Sequence, residues 1–171
     1  MREKTKRKID GQFYAWRVEM GNSEAMSRLR KSSAAVNVLM MFISKYTFPN
    51  KGKDLCITYR EASKYMSAST FAKAKLWCMA FGFLYCTRFG RLERNASLYS
   101  LIEKWRYLSS QPEKLSHIEQ LLKRHDQLSR KASNNIPEEI WKNSSEKNSP
   151  ISAGAWKRQE LRKIEIEILS Q

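Results

Sequence analysis

Two groups of side chains in the first two-thirds of the chain carry chemistry suited to an anion. Tyr59, Arg60 and Lys64 fall in one short stretch that runs on into Ser67, Ser69, Thr70 and Lys73, and a second group holds Arg88, Arg91, Arg94 and Asn95 with Glu93 as its one acid. Guanidinium and ammonium groups neutralise phosphates, and arginine's planar fork grips one in two bonds. Short hydroxyl and amide chains can donate and accept at close range. Other chemistries lack their residues. His117 and His125 are the two histidines and stand eight apart, more than two helical turns, so they cannot chelate a metal together without other ligands. Cys56, Cys78 and Cys86 have no C-x-x-C spacing, and each is read as a small core residue. The chain contains no phosphate-loop, nucleophile-elbow or H-E-x-x-H pattern. Action by binding is expected, with no catalytic residue, cofactor or metal.

The charge balance points the same way. Lys and Arg number 32 against 17 Asp and Glu, a net +15 in 171 residues. The excess is asymmetric: residues 1–110 hold 21 basic and 8 acidic side chains, residues 111–171 only 11 and 9. A cationic body with a nearly neutral extension favours a polyanionic partner, through Coulomb attraction and counterion release. The composition, 42% apolar and 29% charged with 6 Gly and 4 Pro, suits a mostly helical chain with one core. The charged opening Met1 to Asp10 leads into no apolar run, and the longest such run, Ala34 to Ile43, is interrupted by Asn37 and half the length of a membrane span. With three unpaired-looking cysteines, a reducing, cytoplasmic setting and no membrane are expected.

The elements that must position these groups follow from periodicity. Residues 1–22 read as a basic N-terminal arm, either reaching along a groove or a charged terminus without consequence. Met26, Leu29, Val36, Leu39, Met40 and Ile43 recur at helical spacing, which predicts two helices between Ser23 and Tyr46 with Ser32 and Ser33 available as a cap. After the breaker run Thr47 to Gly52, alternation through Leu55, Ile57 and Tyr59 predicts a brief strand. A short helix from Thr58 or Tyr59 to Met66 buries Ala62 and either Tyr65 or Met66, and a second from Ser69 to Phe81 starts on a hydroxyl cap and stops at Gly82. On that second helix Ser69, Thr70, Lys73 and Trp77 share one side, and Phe71, Ala74, Cys78 and Met79 the core side. Phe83 to Phe89 and Leu98 to Ile102 then form a hairpin with a charged tip.

Short strand, helix, turn, helix and basic hairpin describe a winged helix-turn-helix in residues 23–108. The residues also resemble winged-helix domains of bacterial, phage and plasmid DNA-binding proteins: Thr58, Glu61 and Ala62 open the first helix, Ser69 and Thr70 the second, and Gly82, Phe83 and Leu84 make its exit. Lys75 stands where such domains commonly carry an apolar residue, and Leu76, Trp77 and Phe81 where they carry polar ones. The resemblance implies duplex DNA binding in transcriptional regulation or in replication and maintenance of a phage or plasmid. In that geometry Ser67, Ser69, Thr70 and Lys73, with Ala72 and Leu76, face the major groove. Tyr59, Arg60 and Lys64 anchor phosphates, and Arg88, Arg91, Arg94 and Asn95 form the wing contacts. The alternative is a winged-helix assembly module that reads no DNA and meets a partner through exposed Leu76, Trp77 and Phe81.

The remainder reads as an extension. Residues 109–132 form an amphipathic helix with Leu115, Ile118, Leu121, Leu122 and Leu128 inward and Glu113, Lys114, Glu119, Lys123 and Arg124 outward. That stripe packs on its own domain or pairs two protomers. Residues 133–155, rich in Asn, Ser and Lys around Ile136, Ile140 and Trp141, read as a flexible linker. Residues 156–171 form a last helix with Trp156, Leu161, Ile164, Ile168 and Leu169 aligned, although Ile164 to Ile168 also alternates as a strand would, and this segment could dock on a protein partner.

Overall fold

The computed structural model describes residues 18–47, 50–90, 96–130 and 153–170. It is mainly helical, with one small two-stranded antiparallel sheet. A short helix α1 (Val18–Gly21) precedes α2 (Glu24–Leu29) and α3 (Ser33–Ser44). Each of the latter two starts on a serine whose side chain accepts an otherwise orphan backbone N–H: Ser23 Oγ from Met26 (3.1 Å) and Ser32 Oγ from Ala35 (3.3 Å). The buried stripe of α3 is Ala35, Val38, Leu39, Phe42 and Ile43, spaced i, i+3, i+4, i+7, i+8. Val36 and Met40 lie beside it, half-buried and exposed.

The expected strand between Leu55 and Tyr59 shrinks to one antiparallel bridge, in which Leu55 and Tyr99 exchange N–H···O bonds of 2.7 and 2.9 Å. Tyr59 already belongs to a helix, α4 (Tyr59–Ala62), because Thr58 and Glu61 form a reciprocal capping box. Backbone turns carry the chain to Met66. There Ser67, two residues before the expected position, caps α5 (Ala68–Ala80) by accepting from Thr70 N at 3.2 Å. Gly82 ends α5 at φ +75°, and the bonds Phe83 N to Cys78 O and Gly82 N to Met79 O, both 3.0 Å, form a Schellman closure. A side chain here is excluded twice over, since a Cβ would lie 2.7 Å from the Trp105 backbone nitrogen.

Strands β1 (Leu84–Arg88) and β2 (Leu98–Leu101) pair with Leu84 opposite Leu101 and Cys86 opposite Tyr99, with a bulge before the Arg88 and Leu98 pair. The helices α6 (Lys104–Ser109), α7 (Pro112–Arg130) and α8 (Ala153–Ser170) complete the chain. The core sits between α3 and α5, where Leu39, Phe42, Phe71, Phe81 and Phe83 are fully enclosed and the Cys78 thiol donates to Ala35 O at 3.2 Å. Cys86 is buried too, while Cys56 is half-buried and lies outside the strands.

The amphipathic helix expected at 109–132 corresponds to α7, which buries Leu115, Ile118 and Leu122 and packs on α2 and α6. Glu119, expected on its outer face, is buried instead. It receives Arg28 Nη1 at 2.9 Å, Lys31 Nζ at 2.8 Å and Lys123 Nζ at 3.1 Å, and three cations offset the cost of enclosing one carboxylate. Residues 156–170 lie within α8, so helix prevails over the alternative strand, and α8 packs on α7 and α5 of its own chain, with Ile164 and Ile168 buried. Ile166 and Leu169 face out. The two histidines lie on the α7–α8 seam, His125 Nε2 3.2 Å from Glu165 and His117 Nε2 3.3 Å from Glu167. The N-terminal arm up to residue 17 and most of the expected linker, with Ile136, Ile140 and Trp141, lie outside the described residues. No described helix is long and apolar enough to cross a membrane.

Candidate nucleic-acid interface

Helix α4, the turn after it and the first turn of α5 form one continuous exposed surface. Tyr59, Arg60, Ser63, Lys64, Tyr65, Ser67, Ser69, Thr70 and Ala72 all face solvent on it. Arg60 and Lys64 are four residues apart in a stretch that stays coiled through Ser63 N to Tyr59 O and Tyr65 N to Ala62 O, and both are exposed. The one acid in this stretch, Glu61, is already committed: it accepts from Thr58 N at 2.9 Å and pairs with Lys45 Nζ at 2.7 Å. The Lys45 ammonium and the Thr58 N–H bring its carboxyl down to about 2.

At the start of α5 three hydroxyls cluster, with Ser67 Oγ 3.1 Å from Ser69 Oγ and 2.8 Å from Thr70 Oγ1. Ser67 is therefore first a cap; Ser69 and Thr70 project from the first turn. Tyr59 is held in place by an edge-on contact with Phe71, ring centroids 5.4 Å apart. The choice between Tyr65 and Met66 for the inner side of α4 resolves with Met66 half-buried and Tyr65 at 73% exposure.

Further along α5 the expected groove face closes. From Lys73 to Leu84 every residue is buried or half-buried. Lys73 donates to Asp126 Oδ1 of α7 at 2.5 Å, and Trp77 leans on Phe81 with centroids 5.8 Å apart. Leu76 and Phe81 are core residues, which accounts for their apolar character, and α8 packs on α5 as well. Met79, expected in the core, is half-buried. Lys75 is buried as well. Its ammonium rests over the rings of Phe71, Tyr59 and Tyr99, at 4.6, 4.9 and 5.3 Å from their centroids, so π-faces replace water around the charge. Burial lowers its pKa and raises that of Tyr99 to about 12.

Of the hairpin residues, Arg88 ends β1 exposed, whereas Arg91, Arg94 and Asn95 lie outside the described residues. Between α3, α5 and α7 an open cavity of about 580 Å³ is lined by Lys31, Ser32, Thr70, Lys73, Trp77 and Lys123. Asp126 carried no signal in the sequence, because its contact with Lys73 spans 53 positions and depends on where α7 is laid. Among the described residues no group of three His, Cys, Asp or Glu side chains is placed to hold a metal. No family model, no curated protein and no solved structure matches this chain.

Proposed function

We propose that this protein binds duplex DNA as a winged helix-turn-helix, and that it serves transcriptional regulation or the replication and maintenance of a mobile element such as a phage or plasmid. The observation that carries this reading is the α4–α5 surface, where Arg60, Lys64, Ser69 and Thr70 are exposed together and the single acid is tied to Lys45. Helix α4 and the turn after it cross the phosphate backbone with Arg60, Lys64 and the Tyr59 hydroxyl as anchors. The first turn of α5 enters the major groove, with Ser69 and Thr70 at base edges and Lys73 reaching the groove when Asp126 releases it. Arg88 and the hairpin tip with Arg91, Arg94 and Asn95 take the flanking backbone or minor groove. Because only about one turn of α5 is free, base contacts come from few residues and the cationic flanks supply most of the affinity. The assembly-module alternative has weaker support, since Leu76 and Phe81 are buried and Trp77 half-buried, so they offer no open apolar patch.

The test is binding of a random duplex library at two salt concentrations, followed by variants. Arg60→Ala and Lys64→Ala should each weaken cognate and random duplexes alike and reduce the slope of log affinity against log salt by about one. An unchanged slope for both variants would remove α4 from the interface, and absence of duplex binding at low salt would end the proposal.

A further inference from the structure

Between Lys45 and Glu103, every large apolar side chain that the described residues expose is aromatic: Tyr59, Tyr65, Tyr85 and Phe89, at 52 to 73% exposure. Three of the four adjoin a cation in sequence, Tyr59 beside Arg60, Tyr65 beside Lys64 and Phe89 beside Arg88. Tyr59 is braced by Phe71. Tyr65 and Phe89 stand out into solvent at 73% and 65%. Phe89 has no polar tip, so hydration does not account for its position. A paired duplex offers protein side chains its edges and phosphates, because each base face is covered by its neighbours. An unpaired base offers a π-face, on which an exposed ring can stack. We infer that this protein takes DNA in which unpaired bases adjoin a duplex, with Tyr65 and Phe89 as stacking platforms for the unpaired bases. The inference deepens the duplex-binding reading and rests on it, since α4 and the start of α5 hold the paired part.

The experiment compares, by fluorescence anisotropy, a blunt duplex with the same duplex carrying a single-stranded tail that contains a fluorescent purine analogue. The tailed DNA should bind about tenfold more tightly, the size of one stacked base, and the analogue should be quenched on binding. Tyr65→Ala and Phe89→Ala should each reduce the tail's advantage and the quenching, and together abolish them, while leaving the blunt duplex unaffected. Tyr65→Phe should keep both, because the ring remains. Circular dichroism of each variant verifies that it is folded. Equal affinity for blunt and tailed DNA overturns the inference and leaves the duplex reading standing. A loss with Tyr65→Phe as large as with Tyr65→Ala also overturns it, by assigning Tyr65 a hydroxyl contact. No binding to either DNA overturns both.

Discussion

Glu119 shows how much one side chain depends on its surroundings. Burial pushes its carboxyl upward, but hydrogen bonds from Lys31, Arg28 and Lys123 outweigh that and bring it to about 2. A folded-state value below the unfolded one means that its contribution is complete above the ordinary carboxylate range near 4.3 and is lost as pH falls from there toward 2. Glu119→Gln should therefore cost roughly 1–3 kcal/mol at neutral pH and flatten the acid limb of stability against pH. Urea titrations from pH 7 to pH 3 measure both, and an acid limb as steep as in the unaltered protein would place the sensitivity elsewhere. Asp126 matters to function instead. Its pairing with Lys73, each side chain about one-third exposed, competes with phosphate or base for the same ammonium. Asp126→Asn should tighten duplex binding about two- to fivefold, the equivalent of a partly exposed ion pair of ~0.5–1 kcal/mol. Unchanged affinity would mean that Lys73 makes no contact with DNA.

Helix ends were the most readable elements. Gly82 was expected as the stop of α5 because few other residues accept a positive φ, and it sits there at +75° under a complete Schellman closure. Gly82→Ala should cost at least ~2 kcal/mol, combining the left-handed penalty with the approach of its Cβ to the Trp105 and Lys104 backbone, and equilibrium denaturation reads this directly. A loss within ~0.5 kcal/mol would show that the junction with α6 relaxes easily. The other end was less legible. Ser67, Ser69 and Thr70 are all competent caps, and the choice of Ser67 follows from the path of the preceding turn. The strand near Leu55 dwindled to a bridge because the Thr58–Glu61 capping box claims Tyr59 for a helix.

At the scale of the molecule, α8 closes over α7 and α5 with Ile164 and Ile168 each 2% exposed. A chain ending before α8 should lose roughly 3 kcal/mol or more, the worth of two enclosed isoleucine side chains. The same truncation removes a helix that packs on α5, so thermal unfolding and DNA affinity should be measured together. Unchanged stability would identify α8 as a segment held too weakly to count in the fold. Its seam with α7 also explains the histidines: their spacing of eight places both on one face, opposite Glu165 and Glu167.

What the chain's own pattern determined was local: which segments coil, that Ser32 or Ser33, Thr58 or Tyr59, and Gly82 mark their ends, and that the cationic excess belongs to the first two-thirds. These rest on backbone dihedrals, orphan N–H groups and charge counts, all of which act within a few residues or add without regard to position. Only the tertiary structure decided that Glu119 is enclosed, that Lys75 sits among three rings, that Leu76 and Phe81 are core and that Lys73 is held by Asp126. Each of those outcomes depends on a partner dozens of positions away or on an element laid across the helix, and the free energy of burial is assigned only when the surfaces meet.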